Sequence, residues 1–377
     1  MPIYFDNAAT SHPKPPSVIK AVERALTETN ANPGRSGHRA AIEAARSVLS
    51  CREKLARLLG AADPMNVVHC FNCTDALNLA IKGSLRVGDH VIATQLEHNS
   101  VLRPLNTLAK RKRISLTLVS PRPDGFVDPD DIRHAITPCT ALIVCTHASN
   151  VTGAIQPVAA IGQVARSAGV RYLIDGAQAL GGMPVDVRAL GCDLYAFPGH
   201  KSLLGPQGTG GLYIADGLRL NPLREGGTGT DSQSLLQPDT LPERYESGTV
   251  NLPGIAGLAA GCDYIALRLS QIMMHERELT QALFDGLAAM DGVTLYSPAQ
   301  EAGRAGIVCF NVGDKSSAQV ADTLSRRDIA VRGGLHCAPG AHRFLGTLNR
   351  GAVRASLGHA NTFGEVEQFL ESVRELL

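Results

Sequence analysis

The sequence has almost no net charge: 36 Lys and Arg stand against 35 Asp and Glu, a formal balance of +1. No whole-molecule field therefore favours nucleic acid or an anionic membrane surface, and neither is expected as a partner. The single basic run, Lys110-Arg-Lys-Arg113, reads as a solvated helix end. No apolar run is long enough to cross a bilayer. The first residues, Met1-Pro-Ile-Tyr-Phe-Asp-Asn7, lack the charged and then apolar stretches of a secretory signal. Internal repeats and low-complexity segments are missing as well. The nine cysteines are odd in number and scattered, which suits free thiols in a reducing cytoplasm better than a disulfide framework. Cys70-Phe-Asn-Cys73 has the spacing of a metal or redox pair. No second pair or His cluster completes it, so no metal is expected. Neither a G-x-G-x-x-G turn nor a G-x-x-x-x-G-K-[ST] loop follows the first strand, which argues against a nicotinamide enzyme or a nucleoside triphosphatase.

What is present is 377 residues, 44% hydrophobic and 19% charged, enough for one large domain or two fused ones. Between about residues 65 and 215, short apolar runs alternate with helical patterns. The runs are 67–71, 90–94, 115–119, 141–146, 171–174, 194–197 and 211–214, with helices such as 75–83 and 158–168 between them. This alternation predicts an α/β domain with a mostly parallel sheet. Beyond residue 263 the pattern changes to a long helix, 264–289, followed by mixed strands and helices. A large domain over 15–263 and a smaller α+β domain over 1–14 and 264–377 are expected.

In an open parallel sheet, ligands bind beyond the carboxyl ends of the strands. Those ends carry Thr74 at a helix start, His98 after Glu97, Asn150, then Asp175 with Gln178 one turn on, and His200-Lys201. Alone, any of them is a cap, a turn or a solvated surface residue. Together they describe a pocket. A lysine just past a strand end can form a Schiff base with a carbonyl cofactor. A carboxylate can keep a pyridine nitrogen protonated, a flat ring can stack on it, and N–H groups at a helix start can hold a phosphate. Lys201, Asp175, His98 and Thr74 fit those tasks in that order, and pyridoxal 5'-phosphate is the expected cofactor.

With these residues in view, the chain resembles the class V aminotransferases, pyridoxal-phosphate enzymes of fold type I. Within that family it is similar to the cysteine desulfurases of the group that includes SUF-type enzymes and selenocysteine lyases. The likeness covers nearly the whole chain. It rests on Tyr4-Phe-Asp-Asn-Ala-Ala-Thr10, Asn32-Pro-Gly-Arg-Ser-Gly-His38, Thr74-Asp-Ala-Leu-Asn78, Glu97-His98 and Ser149-Asn-Val-Thr-Gly153. Asp175-Gly-Ala-Gln178, Gly199-His-Lys201, Glu246-Ser-Gly-Thr249, Val331-Arg-Gly-Gly-Leu-His-Cys-Ala338 and Val353-Arg-Ala-Ser-Leu357 continue it.

The resemblance implies roles. Lys201 would be the Schiff-base lysine, Asp175 the partner of the ring nitrogen and Gln178 that of the ring hydroxyl. His98 would stack on the ring and move protons. Thr74 and His200 would bind phosphate, and Thr249 would reach the phosphate of the neighbouring subunit, making a homodimer part of the site. Arg354 and Asn150, with Arg332 nearby, would hold the substrate carboxylate, a task that suits a planar guanidinium. Cys337 decides the reaction: with Arg332 and His336 beside it as nearby positive charge, its thiolate would take sulfur from L-cysteine as a persulfide and release L-alanine. A thiol acceptor protein would receive that sulfur, as in iron–sulfur cluster assembly.

Three departures from the family pattern stand out. Pro198 replaces a phosphate-binding Ser, which removes one contact. Cys73 stands where Thr is usual. The loop after Cys337 is unlike that of SUF-type enzymes, and its His342 and Arg343 read as surface residues. Cys309 and Cys51 read as core. The alternatives are a selenocysteine lyase acting on L-selenocysteine, another class V C–S lyase or aminotransferase, and a catalytically silent scaffold for a sulfur carrier.

Overall fold

A computed structural model describes residues 2–34 and 36–377; Met1 and Arg35, the latter within the Asn32–His38 motif, lie outside them. The chain opens with a short strand β1 (Ile3–Tyr4) and helices α1 (Pro16–Thr27) and α2 (Arg39–Leu59). Strands and helices then alternate through β2 (Val67–Cys70), α3 (Cys73–Ser84), β3 (His90–Thr94), α4 (Asn99–Lys110), β4 (Ser115–Val119) and α5 (Pro129–Ala135). The series continues with β5 (Thr140–Thr146), α6 (Val158–Ser167), β6 (Arg171–Asp175), α7 (Val187–Leu190), β7 (Leu194–Pro198) and β8 (Gly210–Ile214).

The expected α/β sheet forms from these seven strands, in the order β2-β8-β7-β6-β5-β3-β4. β7, β6, β5, β3 and β4 are mutually parallel. β8 is antiparallel to both β7 and β2, so β2 runs with the parallel set and only β8 runs against it. Every residue of β2, β3, β7 and β8 is buried. A sheet covered on both faces has no solvated side, so its strands are unbroken apolar runs. Successive side chains enter different cores. Ile143, Cys145, Tyr172 and Ile174 pack with α2 and α6, whereas Leu142, Val144 and Leu173 pack with α3 and α4.

Helix α8 (Leu252–Ala288) begins well before the helical pattern predicted at Tyr264. Gly254, Gly257 and Gly261 hide its first turns from a propensity reading. They are there for close approach: a Cβ on Gly261 would lie 2.2 Å from the Leu203 carbonyl oxygen. The boundary drawn at 263/264 falls inside this helix. Its contacts include α1 and α2 as well as the strand Val293–Leu295 and the helix Phe363–Arg374. α8 is long and apolar enough to cross a bilayer, contrary to the expectation that no run would be. Half of its apolar stretch is packed inside the protein, as in a core helix.

After α8 come β9 (Val293–Leu295), β10 (Ile307–Val312), α9 (Ser317–Ser325), β11 (Ile329–Ala330), β12 (Arg332–Gly334), α10 (Pro339–Phe344), β13 (Ala352–Ser356) and α11 (Phe363–Arg374). β12, β13, β10 and β9 form an antiparallel sheet in that order. β1 pairs in parallel with β11, which draws the start of the chain into this second core.

One buried ion pair ties the loop after β8 to the large sheet. Arg52 meets Glu246 through both guanidinium Nη atoms at 2.8 Å, and the side chains are only 3% and 8% exposed. Glu246 also accepts the His69 N–H at 2.6 Å. Burial would raise the Glu246 carboxyl, but Arg52 holds it below its ordinary value. Removing one partner strands the other, so Glu246→Ala is expected to cost about 3–5 kcal/mol in urea unfolding. Because the folded-state pKa is depressed, this contribution is present at neutral pH and fades as pH falls through the carboxylate range.

Candidate active site

Nine of the eleven residues given site roles from the sequence line one cavity of about 230 Å³ at the carboxyl edge of the sheet. The two that do not are Cys337 and Thr249.

Lys201 sits in the turn after β7. Leu204 N donates to Lys201 O at 2.8 Å and Gly205 N to Gly199 O at 2.8 Å, closing a tight loop. Gly199 must be glycine, because a Cβ there would lie 2.2 Å from Thr209 Oγ1. The start of the chain clamps this turn from outside. Ser11 Oγ donates to Lys201 O at 2.8 Å, and Lys14 Nζ donates to His200 O at 2.8 Å. No hydrogen bond engages Lys201 Nζ among the described residues. Burial first, and then the Arg354 cation, pull its amine down to about 8.

Asp175 ends β6 and is 3% exposed. Its Oδ1 accepts the Ala177 N–H at 3.0 Å and lies 3.5 Å from Cys73 Sγ. Cys73, marked as a departure, thus touches the carboxylate assigned to the ring nitrogen. Burial pushes the thiols of both Cys70 and Cys73 far up, so neither is a ready thiolate.

His98 is the N-cap of α4, its Nδ1 accepting the Ser100 N–H at 3.0 Å. That bond leaves the proton of the neutral ring on Nε2. Burial lowers the His98 pKa, so the neutral form prevails. Ser100, which the sequence reading passed over, lies 2.9 Å from His98 Nδ1 and 2.7 Å from Thr74 Oγ1. The pattern His-x-Ser at a helix start was the available signal. Below them Glu97 is fully buried, and burial raises its carboxyl to about 8. Its Oε1 accepts from Thr94 Oγ1 at 2.7 Å and from Thr146 N at 2.9 Å, joining the ends of β3 and β5.

Arg354, on β13, is 1% exposed. Its Nη2 pairs with Asp6 Oδ1 at 2.8 Å and its Nη1 donates to Asn150 O at 2.9 Å, while its buried Nε has no partner among the described residues. Asn150 gives its Nδ2 to His336 O at 2.7 Å, so that donor is committed to the loop before Cys337. Gln178 Nε2 likewise bonds Ala8 O at 3.0 Å.

Cys337 is exposed, in a loop where His336 and Cys337 both have positive φ, 50° and 57°. Arg332 Nη2 lies 3.8 Å from Cys337 Sγ. His336 supplies no charge, contrary to expectation: it is 2% exposed, and burial pushes its pKa down to about 3. His342 is a second correction. Read as a surface residue, it is fully buried, because α10 folds back and turns its ring onto His336 at a 5.3 Å centroid distance. Arg343 is exposed as expected, and Cys309 and Cys51 are core. Thr249 is exposed and lines a separate cavity with His69, Arg224 and Glu246.

The cavity fits pyridoxal 5'-phosphate. His200 Nδ1 is buried beside it with no partner among the described residues, an orphan polar atom that a phosphate would satisfy. The first turn of α3 offers the N–H groups of Cys73 and Thr74, which a helix cannot pair internally. Lys201 brings an unpaired amine and Asp175 a buried carboxylate. Pro198 lines the same wall without an N–H or a hydroxyl.

Comparison with known proteins agrees with this chemistry. The family model "Aminotransferase class-V" matches residues 3–369. A probable cysteine desulfurase of Methanothermobacter thermautotrophicus is 36% identical over 99% of this chain and 94% of its own length. A cysteine desulfurase of Salmonella dublin is 33% identical over 100% and 94%. The apo structure of the cysteine desulfurase from Thermococcus onnurineus superposes with a TM-score of 0.94 at 35% identity, covering 100% of this chain and 94% of that one.

Proposed function

The chain belongs to the class V aminotransferase family, and on that premise we propose that it is a pyridoxal-phosphate-dependent cysteine desulfurase. The observation that carries the reaction is the exposed Cys337 beside Arg332, which itself lines the pocket that holds Lys201 and Asp175.

When bound, pyridoxal 5'-phosphate supplies an aldehyde that an amine can hold and a ring that withdraws electrons from the substrate Cα. The protein does the rest. Thr74, His200 and the first turn of α3 would hold the phosphate, Asp175 the ring nitrogen and Gln178 the ring hydroxyl. Lys201 Nζ, neutral in a usable fraction because its pKa is near 8, would take and return the Cα proton. His98, its proton on Nε2, would stack on the ring and move protons. Arg354 would neutralise the substrate carboxylate at the cavity wall, with Arg332 flanking it.

Cys337 Sγ would accept the sulfur atom. The substrate C–S bond breaks, an S–S bond forms, and L-cysteine plus the Cys337 thiol become L-alanine plus the Cys337 persulfide. Its exposure lets a thiol acceptor approach. The exposed Thr249, in its own cavity away from Lys201, is free to complete the site of a second copy, so we read the working form as a homodimer. The free thiols suit a reducing cytoplasm, and sulfur delivery to iron–sulfur cluster assembly suits the product.

The loaded enzyme given L-cysteine and a thiol acceptor should release L-alanine and transferable sulfur in equal amounts. Pyruvate and free ammonia in place of alanine would mean a different C–S lyase.

A further inference from the structure

Three buried polar side chains form a hydrogen-bonded line under the Cys337 loop. Thr347 Oγ1 lies 2.8 Å from His342 Nδ1, His342 Nε2 lies 3.1 Å from His336 Nδ1, and His336 Nε2 lies 3.1 Å from the Arg332 carbonyl oxygen. The three residues are 2%, 0% and 2% exposed in that order. The polarity of the line follows from its last member. A carbonyl oxygen only accepts, so His336 carries its proton on Nε2 and accepts at Nδ1. His342 then donates from Nε2 and accepts at Nδ1 from the Thr347 hydroxyl. Both rings are neutral, as burial dictates, and one set of tautomers satisfies every atom.

The line ends at two successive residues of unfavourable backbone geometry. His336 and Cys337 occupy the left-handed region, which non-glycine residues disfavour. The loop is also held from the other domain, by Asn150 Nδ2 on His336 O at 2.7 Å and by Asn99 N on Cys337 O at 2.7 Å. α10 is seated close to the end of β3: a Cβ on Gly340 would lie 2.3 Å from Gln95 O. His336 lines the cofactor cavity; His342 does not, and its ring meets the Cys337 loop through His336.

We propose that His342 is a positioning residue for sulfur transfer, acting with Thr347 through His336 to hold the Cys337 loop so that Sγ faces Arg332. The inference rests on Cys337 being the sulfur acceptor. In the holoenzyme, His342→Phe keeps the ring volume and removes the donor. Its kcat with L-cysteine should fall about tenfold with KM little changed, the signature of a misplaced reacting group rather than lost binding. Alkylation of Cys337 by iodoacetamide, followed by peptide mass spectrometry, should slow several-fold, with the exposed Cys139 as the unchanged internal standard.

Thr347→Val frees His342 to adopt the other tautomer and should produce the same changes, whereas Thr347→Ser should restore wild-type values. If His342→Phe fails to fold, the Thr347 pair decides. Wild-type kcat and Cys337 alkylation in His342→Phe and Thr347→Val would overturn the proposal. So would a fall in kcat with Cys337 alkylation unmoved, which assigns the line to folding alone. Full activity of Cys337→Ala would instead sink the desulfurase reading, while the alkylation rates still report on the loop.

Discussion

Lys201→Ala should lower turnover of L-cysteine by about 10³-fold or more, since it removes both the covalent hold on the cofactor and the group that moves the Cα proton. Among the described residues no hydrogen bond to Nζ is lost, so the fold and its unfolding midpoint should stay close to wild type. Borohydride treatment of the loaded enzyme followed by peptide mapping should label the Lys201 peptide in the wild type and nothing in the variant. A label on another lysine would remove Lys201 from its role. The pocket also predicts a pH dependence. An ordinary lysine, titrating near 10.5, is neutral in about three molecules per ten thousand at pH 7, against about one in ten for an amine near 8. The neutral amine is the nucleophile, so capture of cofactor by the cofactor-free enzyme should quicken about tenfold per pH unit up to about 8 and then level. A rate still climbing at pH 10 would show that burial and Arg354 do not depress this amine.

Cys337→Ala should cut alanine formation from L-cysteine by about 10³-fold, because the variant has no thiol to take the sulfur. Cofactor binding should be unchanged: Cys337 lies outside the cavity that Lys201, Asp175 and His98 line. Stopped-flow spectra should therefore show the variant still taking up L-cysteine and then stalling. Running the same variant on L-selenocysteine separates the two related activities. Selenium leaves more readily than sulfur, so a selenocysteine lyase would keep most of its rate without Cys337, while a desulfurase loses its reaction on L-cysteine. Undiminished alanine release from L-cysteine would exclude Cys337 as the sulfur acceptor.

Much of the cofactor pocket was legible in the chain because each part is local. Each strand is an apolar run a few residues long, and Asp175 or Lys201 follows it at once. The contacts that finish the site were not legible. Arg354 meets Asp6 across 348 positions, and Asn150 meets the His336 carbonyl across 186. No periodicity carries such pairings. The start of α8 was missed because its glycines, poor helix formers, serve close packing against Leu203.

The sequence by itself determined the α/β layering, the edge on which ligands bind, the cofactor class and, through Cys337, the reaction to test. Only the tertiary structure decided the protonation and placement of the groups near that cysteine. Read along the chain, His336 is a positive charge beside Cys337 and His342 a surface residue, yet packing buries both rings. Burial disfavours the charged imidazole and pulls these two down to about 3 and about 4. Arg332 is thus the positive group beside the Cys337 thiol, and the histidines serve as its scaffold. Charge and accessibility depend on what lies across the fold, and a linear pattern holds no record of that.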